Sequence, residues 1–198
     1  MAAKKPVRWH IAVFLAPAVL VYTAIMIIPL FGTLNLSLFN EEGDVRVFVG
    51  LANFARLFGD PLWSDAFWNA LGNNAWFFVV HMLVQNPIGI ALAAILSTPR
   101  LRMAAFYRTA IFIPTILSFV IVGFVWKLIL SPIWGIAPSM LDMVGLKSLF
   151  QPWLGKEAYA LTTLALISVW QFVGIPMMLI YAALLSIPDE VLEAAEMD

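Results

Sequence analysis

Apolar residues fall along this chain in four long runs, roughly Ile11–Leu34, Ala70–Leu96, Phe106–Leu130 and Ala158–Leu185, and the segments between them gather most of the charge. Each run reaches the about 20 helical residues needed to cross a bilayer core, so the pattern predicts an all-α polytopic membrane protein with four transmembrane helices in one domain over 1–198. Lys4, Lys5 and Arg8 imitate the basic start of a signal peptide. The run behind them is longer than the roughly 7–15 residues of a signal's apolar region, and no small-x-small site closes it, so we read it as a retained span.

Composition agrees with the pattern. Hydrophobic residues make up 63% of the 198 and charged residues 12%, whereas a soluble domain sits near half and a quarter. A formal net charge of −1 offers no basic stripe to neutralise phosphates, which argues against nucleic acid as a partner. The absence of cysteine removes disulfides, thiolate catalysis and Cys-ligated metals together.

Orientation follows from the cations, because Lys and Arg near span ends stay on the cytoplasmic side. The N-terminal tail carries Lys4, Lys5 and Arg8, and the second connection carries Arg100, Arg102 and Arg108, neither with an acid. The connection 35–69 sets Arg46 and Arg56 against Glu41, Glu42, Asp44, Asp60 and Asp65, and 131–157 is mixed in sign. The reading is therefore a cytoplasmic N-terminus, with 35–69 and 131–157 outside and 186–198 returned to the cytoplasm.

Little in the sequence suggests covalent chemistry. There is no Gly-x-x-x-x-Gly-Lys-[Ser/Thr] phosphate cradle, and neither His10 nor His81 has a second His at ligand spacing. We expect no catalytic residue, metal or cofactor. Polar positions inside the runs are neutral apart from Arg108, at the cytoplasmic start of the third, and Lys127, which lies close enough to the outer end of its span to snorkel. In the second run His81, Gln85, Asn86, Pro87 and Gly89 interrupt the apolar sequence, either as a solute-facing or bending segment or as interhelical hydrogen-bond glue. In the fourth, Ser168, Gln171, Phe172 and Ile175 recur at i, i+3, i+4 and i+7, placing two hydrogen-bonding groups and a ring on one stripe. That combination suits a neutral carbohydrate, and packing inside a bundle would account for it too. Gly174-Ile175-Pro176 beside it is expected to kink the helix, as breaks at transporter binding sites do.

The chain closes on Pro188-Asp189-Glu190-Val191-Leu192-Glu193-Ala194-Ala195-Glu196-Met197-Asp198, a charged helix-forming segment for which Ser186 and Asp189 form an expected capping box. Glu193-Ala194-Ala195-x-x-Asp198 resembles the cytoplasmic EAA loop of importer permeases of the ATP-binding-cassette (ABC) class. Further pieces in the same order resemble the maltose and glycerol-phosphate type: Phe14-Leu15-Ala16-Pro17, Phe48-Val49-Gly50-Leu51-x-Asn53-Phe54, Arg108-Thr109, Phe112-Ile113-Pro114, Val122-Gly123-x-x-Trp126, and Ser168-Val169-Trp170-Gln171 before Ile187-Pro188. The resemblance implies a bacterial inner-membrane permease subunit that moves a carbohydrate by alternating access. It also implies a second permease subunit, two copies of an ATP-binding subunit and an extracytoplasmic solute-binding protein. Ser168, Gln171, Phe172 and Ile175 would then line the path, with an apolar Ile at the last position as a departure. Glu193, Ala194, Ala195 and Asp198 would couple to the ATPase. Such permeases usually carry six core helices, so the sequence is expected to be C-terminally truncated, ending one residue before the family's Gly. The alternative is a four-span structural or assembly subunit without a solute path; an intramembrane enzyme would need a carboxylate or His pair that the runs do not contain.

Overall fold

The computed structural model describes residues 9–43, 45–98, 101–188 and 190–191. Glu193, Ala194, Ala195 and Asp198 therefore lie outside the described residues, as do Asp44, Arg100 and Asp189. The chain divides into two compact units that meet in sequence at Asn69 and Ala70.

The first unit opens with the helical run α1, Trp9–Leu36. It is apolar on every side and none of its residues is buried, the character of a helix whose solvent is hydrocarbon. Its regular turns are interrupted by a π-turn at Thr23–Ile27, where the Ile28 amide reaches back to the Thr23 carbonyl. Pro29, two residues past that turn, supplies the cause, since its ring excludes the ordinary i→i−4 bond. After α1 the chain forms a hairpin of β1, Phe39–Glu42, and β2, Val45–Phe48, paired antiparallel with Phe39 opposite Phe48, a small element that the apolar pattern did not announce. Gly43 takes a positive φ of 67° in its turn, a conformation that a side chain would strain. Helix α2, Ala52–Gly59, is tied to the hairpin by Asn53, whose Nδ2 donates to the carbonyls of Ser37 and Phe39, each at 2.9 Å.

Helix α3 runs over Pro61–Leu96 and carries the chain into the second unit. It repeats the device seen in α1: a π-turn at His81–Gln85 lies two residues before Pro87, and the Asn86 amide bonds the His81 carbonyl. The third apolar run is two helices, α4 (Ala104–Ile116) and α5 (Phe119–Ile129), bent by 100°. Sequence explains the break. Pro114 tightens the last turn of α4 to a 3₁₀ turn, Leu117 and Ser118 are extended, and the Ser118 hydroxyl accepts from the Val120 amide to start α5. Helix α6, Ile136–Met143, lies in the following connection. The fourth run is α7 (Glu157–Phe172) and α8 (Gly174–Leu185), which meet at 41° where Pro176 was expected to bend it.

Small residues bring these helices close. A Cβ on Gly89 would stand 3.0 Å from Pro176 Cγ and 3.2 Å from the Met177 amide, so α3 and α8 touch there backbone to ring. On Gly174 a Cβ would stand 3.0 Å from Phe112 Cα, so α8 meets α4 just as closely. Ala93, Leu96 and the fully buried Met177 make one core cluster with Ile111, Ile180 and Leu184; Val80, Ala165 and Val169 make the other with Phe77 and Val84. Between lipid-solvated helices, association rests on such close packing and on interhelical hydrogen bonds. The Ser186 hydroxyl donates to the Ala183 carbonyl at 2.7 Å and completes the end of α8, because a helix C-terminus offers unpaired carbonyls within reach; the other half of its expected capping box, Asp189, lies outside the described residues.

Candidate functional site

The bend between α7 and α8 creates the polar centre of the second unit. Pro176 has no N–H to offer the Phe172 carbonyl four residues before it, and an unpaired carbonyl in a membrane interior is costly. Gln85 meets the need: its Nε2 donates to the Phe172 carbonyl at 3.2 Å. One residue earlier the Thr115 hydroxyl, from the 3₁₀ end of α4, donates to the Gln171 carbonyl at 3.0 Å. The bend in α7–α8 is thus held by side chains from two other helical runs.

Gln171 returns the favour. Only 2% exposed, it aims Nε2 at the Leu117 carbonyl, 3.0 Å away, in the extended link between α4 and α5 where no helical donor is at hand. Thr115, Leu117 and Gln171 therefore form a two-bond clamp between the break in the third run and the bend in the fourth. Phe172 stands beside it, half-buried, with its ring 5.5 Å from that of Phe119.

Ser168, one turn earlier on α7, meets the π-turn of α3. His81 Nε2 lies 3.1 Å from Ser168 Oγ, while His81 Nδ1 lies 2.7 Å from the Phe77 carbonyl. The imidazole stacks on the Phe77 ring, with centroids 5.7 Å apart and planes 20° apart. His81 and Gln85, four residues apart, thus grip Ser168 and Phe172, also four apart.

Of the stripe read from the sequence, Ser168, Gln171 and Phe172 converge on this centre, and Ile175 is 41% exposed. Among the described residues the side chains hydrogen-bonded at this centre are hydroxyls, amides and an imidazole, with rings beside them, groups that can exchange hydrogen bonds with sugar hydroxyls and pack against ring faces. Among the described residues no cluster of His, Asp and Glu could hold a metal ion. Thr115 and the Leu117 carbonyl were not anticipated. Their signal was available in Pro114 followed by Ser118, a helix stop and a cap four residues apart that together imply a break in mid-run. A separate aromatic cavity of about 460 Å³, lined by Trp126, Trp153, Tyr159, Thr162, Thr163 and Leu166, also escaped notice. Beside it Trp126 packs edge-to-face on Trp170 at 5.4 Å, and Trp76 Nε1 donates to Thr162 at 3.1 Å.

No family model matches the chain. Among curated proteins it is 35% identical over 188 residues to a probable ABC transporter permease protein of Bacillus subtilis (strain 168), an alignment covering 93% of this chain and 63% of that protein. It is 32% identical over 185 residues to a lactose transport system permease protein of Rhizobium radiobacter, covering 93% and 60%. It is 27% identical over 187 residues to an arabinooligosaccharides transport system permease protein of Bacillus subtilis (strain 168), covering 93% and 57%. The chain thus spans about 60% of the length of these relatives. Its fold is that of a chain in the crystal structure of a bacterial ABC transporter involved in the import of the acidic polysaccharide alginate, with a TM-score of 0.74 at 21% identity over 96% of this chain and 62% of that one. The same transporter in complex with an alginate pentasaccharide-bound periplasmic protein gives 0.75.

Proposed function

The chain is homologous over nearly its whole length to the permease proteins of ABC sugar transport systems, and from that premise we propose that it acts as the membrane-spanning permease subunit of a binding-protein-dependent importer for a carbohydrate. The observation that carries this reading is the similarity itself, which extends across all four apolar runs rather than one motif. A permease subunit is a transporter component and not an enzyme; in this reading ATP hydrolysis belongs to a separate subunit present as a dimer. The other partners are a second permease subunit, an extracytoplasmic solute-binding protein and the lipid of a bacterial inner membrane, with the N-terminus cytoplasmic. The four helical runs, about 11–34, 70–96, 106–130 and 158–185, each cross the bilayer and belong to one transmembrane domain.

Within it Ser168, Gln171, Phe172 and Ile175 mark the solute path. Ser168 and Phe172 supply a hydroxyl and a ring, and Ile175 the apolar wall on the cytoplasmic side of the bend. Gln171 holds the path's shape through the Leu117 carbonyl. The neutrality of this lining favours a neutral saccharide, since a charge in mid-span costs about 2.5–3.5 kcal/mol on insertion scales. Glu193, Ala194, Ala195 and Asp198 couple to the ATPase, the small side chains of Ala194 and Ala195 allowing close approach.

Single-cysteine labelling tests orientation and docking together on this naturally cysteine-free chain. Asp44→Cys and Asp142→Cys are expected to react with an impermeant thiol reagent in cells with permeable outer layers and an intact inner membrane. Arg100→Cys and Glu193→Cys react only when the inner membrane is opened, and the ATPase subunit protects Glu193→Cys. Reaction of Arg100→Cys from outside overturns the orientation; equal labelling of Glu193→Cys with and without the ATPase overturns the docking role.

A further inference from the structure

Serine is ambivalent toward a sugar, because its hydroxyl can donate one hydrogen bond and accept two. The surroundings of Ser168 remove that ambivalence. A backbone carbonyl only accepts, so the 2.7 Å contact between His81 Nδ1 and the Phe77 carbonyl requires the hydrogen of the neutral imidazole to sit on Nδ1. Nε2 is then a bare acceptor. At 3.1 Å from it, Ser168 Oγ must be the donor, and its single hydrogen is used. The ring is held in this sense: it stacks on Phe77, and turning it over would put C–H groups in place of Nδ1 at the Phe77 carbonyl and of Nε2 at Ser168.

We propose that His81 is a positioning residue that fixes the hydrogen-bonding polarity of Ser168, so that Ser168 accepts from a saccharide hydroxyl and cannot donate to one. This rests on the reading of Ser168 as solute-facing and adds a specificity rule to it. Fluorine on a sugar accepts weakly and never donates, and a deoxy position does neither. Against a Ser168 that can only accept, neither replacement supplies a donor, so fluorine gains nothing over the deoxy position.

The probes are lactose and arabinotriose, whichever the assembled importer carries, with their monodeoxy and monofluoro analogues. At one ring position the deoxy analogue is expected to raise KM about tenfold, the loss of one hydrogen bond, and the fluoro analogue at least as much. In His81→Phe, which keeps the stack on Phe77, the freed Ser168 hydroxyl can donate, and the fluoro analogue is expected to regain several-fold over the deoxy analogue. Nitrogen NMR of histidine-labelled full chain in lipid nanodiscs supplies the readout that needs no solute and no variant of His81. The His81 signal, separated from His10 by His10→Gln, should show a protonated Nδ1 and a bare Nε2, and Ser168→Ala should move Nε2 alone. A protonated Nε2, or a fluoro analogue already better than the deoxy analogue in the wild type, overturns the proposal. If instead Ser168→Ala leaves every KM unchanged while the tautomer is as described, the solute-facing reading of Ser168 fails and the His81–Ser168 bond is structural. Should neither saccharide be carried, the tautomer alone decides whether His81 fixes Ser168.

Discussion

Gly174→Leu is expected to disrupt the second unit more than any other single change in the fourth run. The reason is the nature of the neighbours. A Cβ at 174 would stand 3.0 Å from Phe112 Cα and 3.1 Å from the Ile111 carbonyl oxygen, and backbone atoms cannot turn aside as a flexible side chain can. Overpacking of this kind costs about 1–3 kcal/mol and often forces a backbone shift, and here the shift would part α8 from α4 beside the Thr115–Gln171 bond. Gly89→Leu is expected to follow closely, because its nearest atoms are the Pro176 ring and the Met177 amide. Gly123→Leu is the control, since a Cβ there meets nothing within 4 Å. Thermal stability and monodispersity of purified protein in detergent measure the difference. If Gly174→Leu is as stable as Gly123→Leu, α8 and α4 do not pack as described.

The second large effect is expected at Gln171. Gln171→Leu keeps the volume and removes the donor to the Leu117 carbonyl, a loss of about 0.5–1.5 kcal/mol for one hydrogen bond. Membrane insertion should persist, because leucine is apolar and the rest of α7 is unchanged. Saccharide uptake should fall about tenfold or more, as the break between α4 and α5 loses its fixed position against the path. Thr115→Val removes the partner bond to the Gln171 carbonyl. As the two bonds form one clamp, the double variant should lose less than the sum of the single losses. Unchanged uptake in Gln171→Leu, or strict additivity, would show that the residue only fills space.

These sites show how far the sequence could be read. The all-α class and the four apolar runs follow from composition and length, because hydrocarbon demands internally bonded backbone and about 20 apolar residues per crossing. The kink at Pro176 and the polar stripe of α7 are also visible, as local features of helical spacing. What the spacing does not contain is the partner of each polar group. Gln171 reads as a hydrogen-bonding position, but that it donates to a carbonyl 54 residues earlier depends on the 100° bend at 117–118, a tertiary outcome of Pro114 and Ser118 acting together. Gln85 likewise reads as glue or as a solute contact; its bond to the Phe172 carbonyl follows only once Pro176 is known to face it. The hairpin at 39–48 is short and half polar, so hydropathy passes over it.

Solute protection of single cysteines reads out whether the α7–α8 bend borders a saccharide path. In the assembled importer, Phe172→Cys and Ile175→Cys are expected to react with a small hydrophilic thiol reagent and to be protected by the carried saccharide. Reaction at 172 and 175 that slows with saccharide and not with an uncarried sugar is the predicted result; cysteines at 172 and 175 that stay unreactive, or react at the same rate whatever sugar is present, would contradict it.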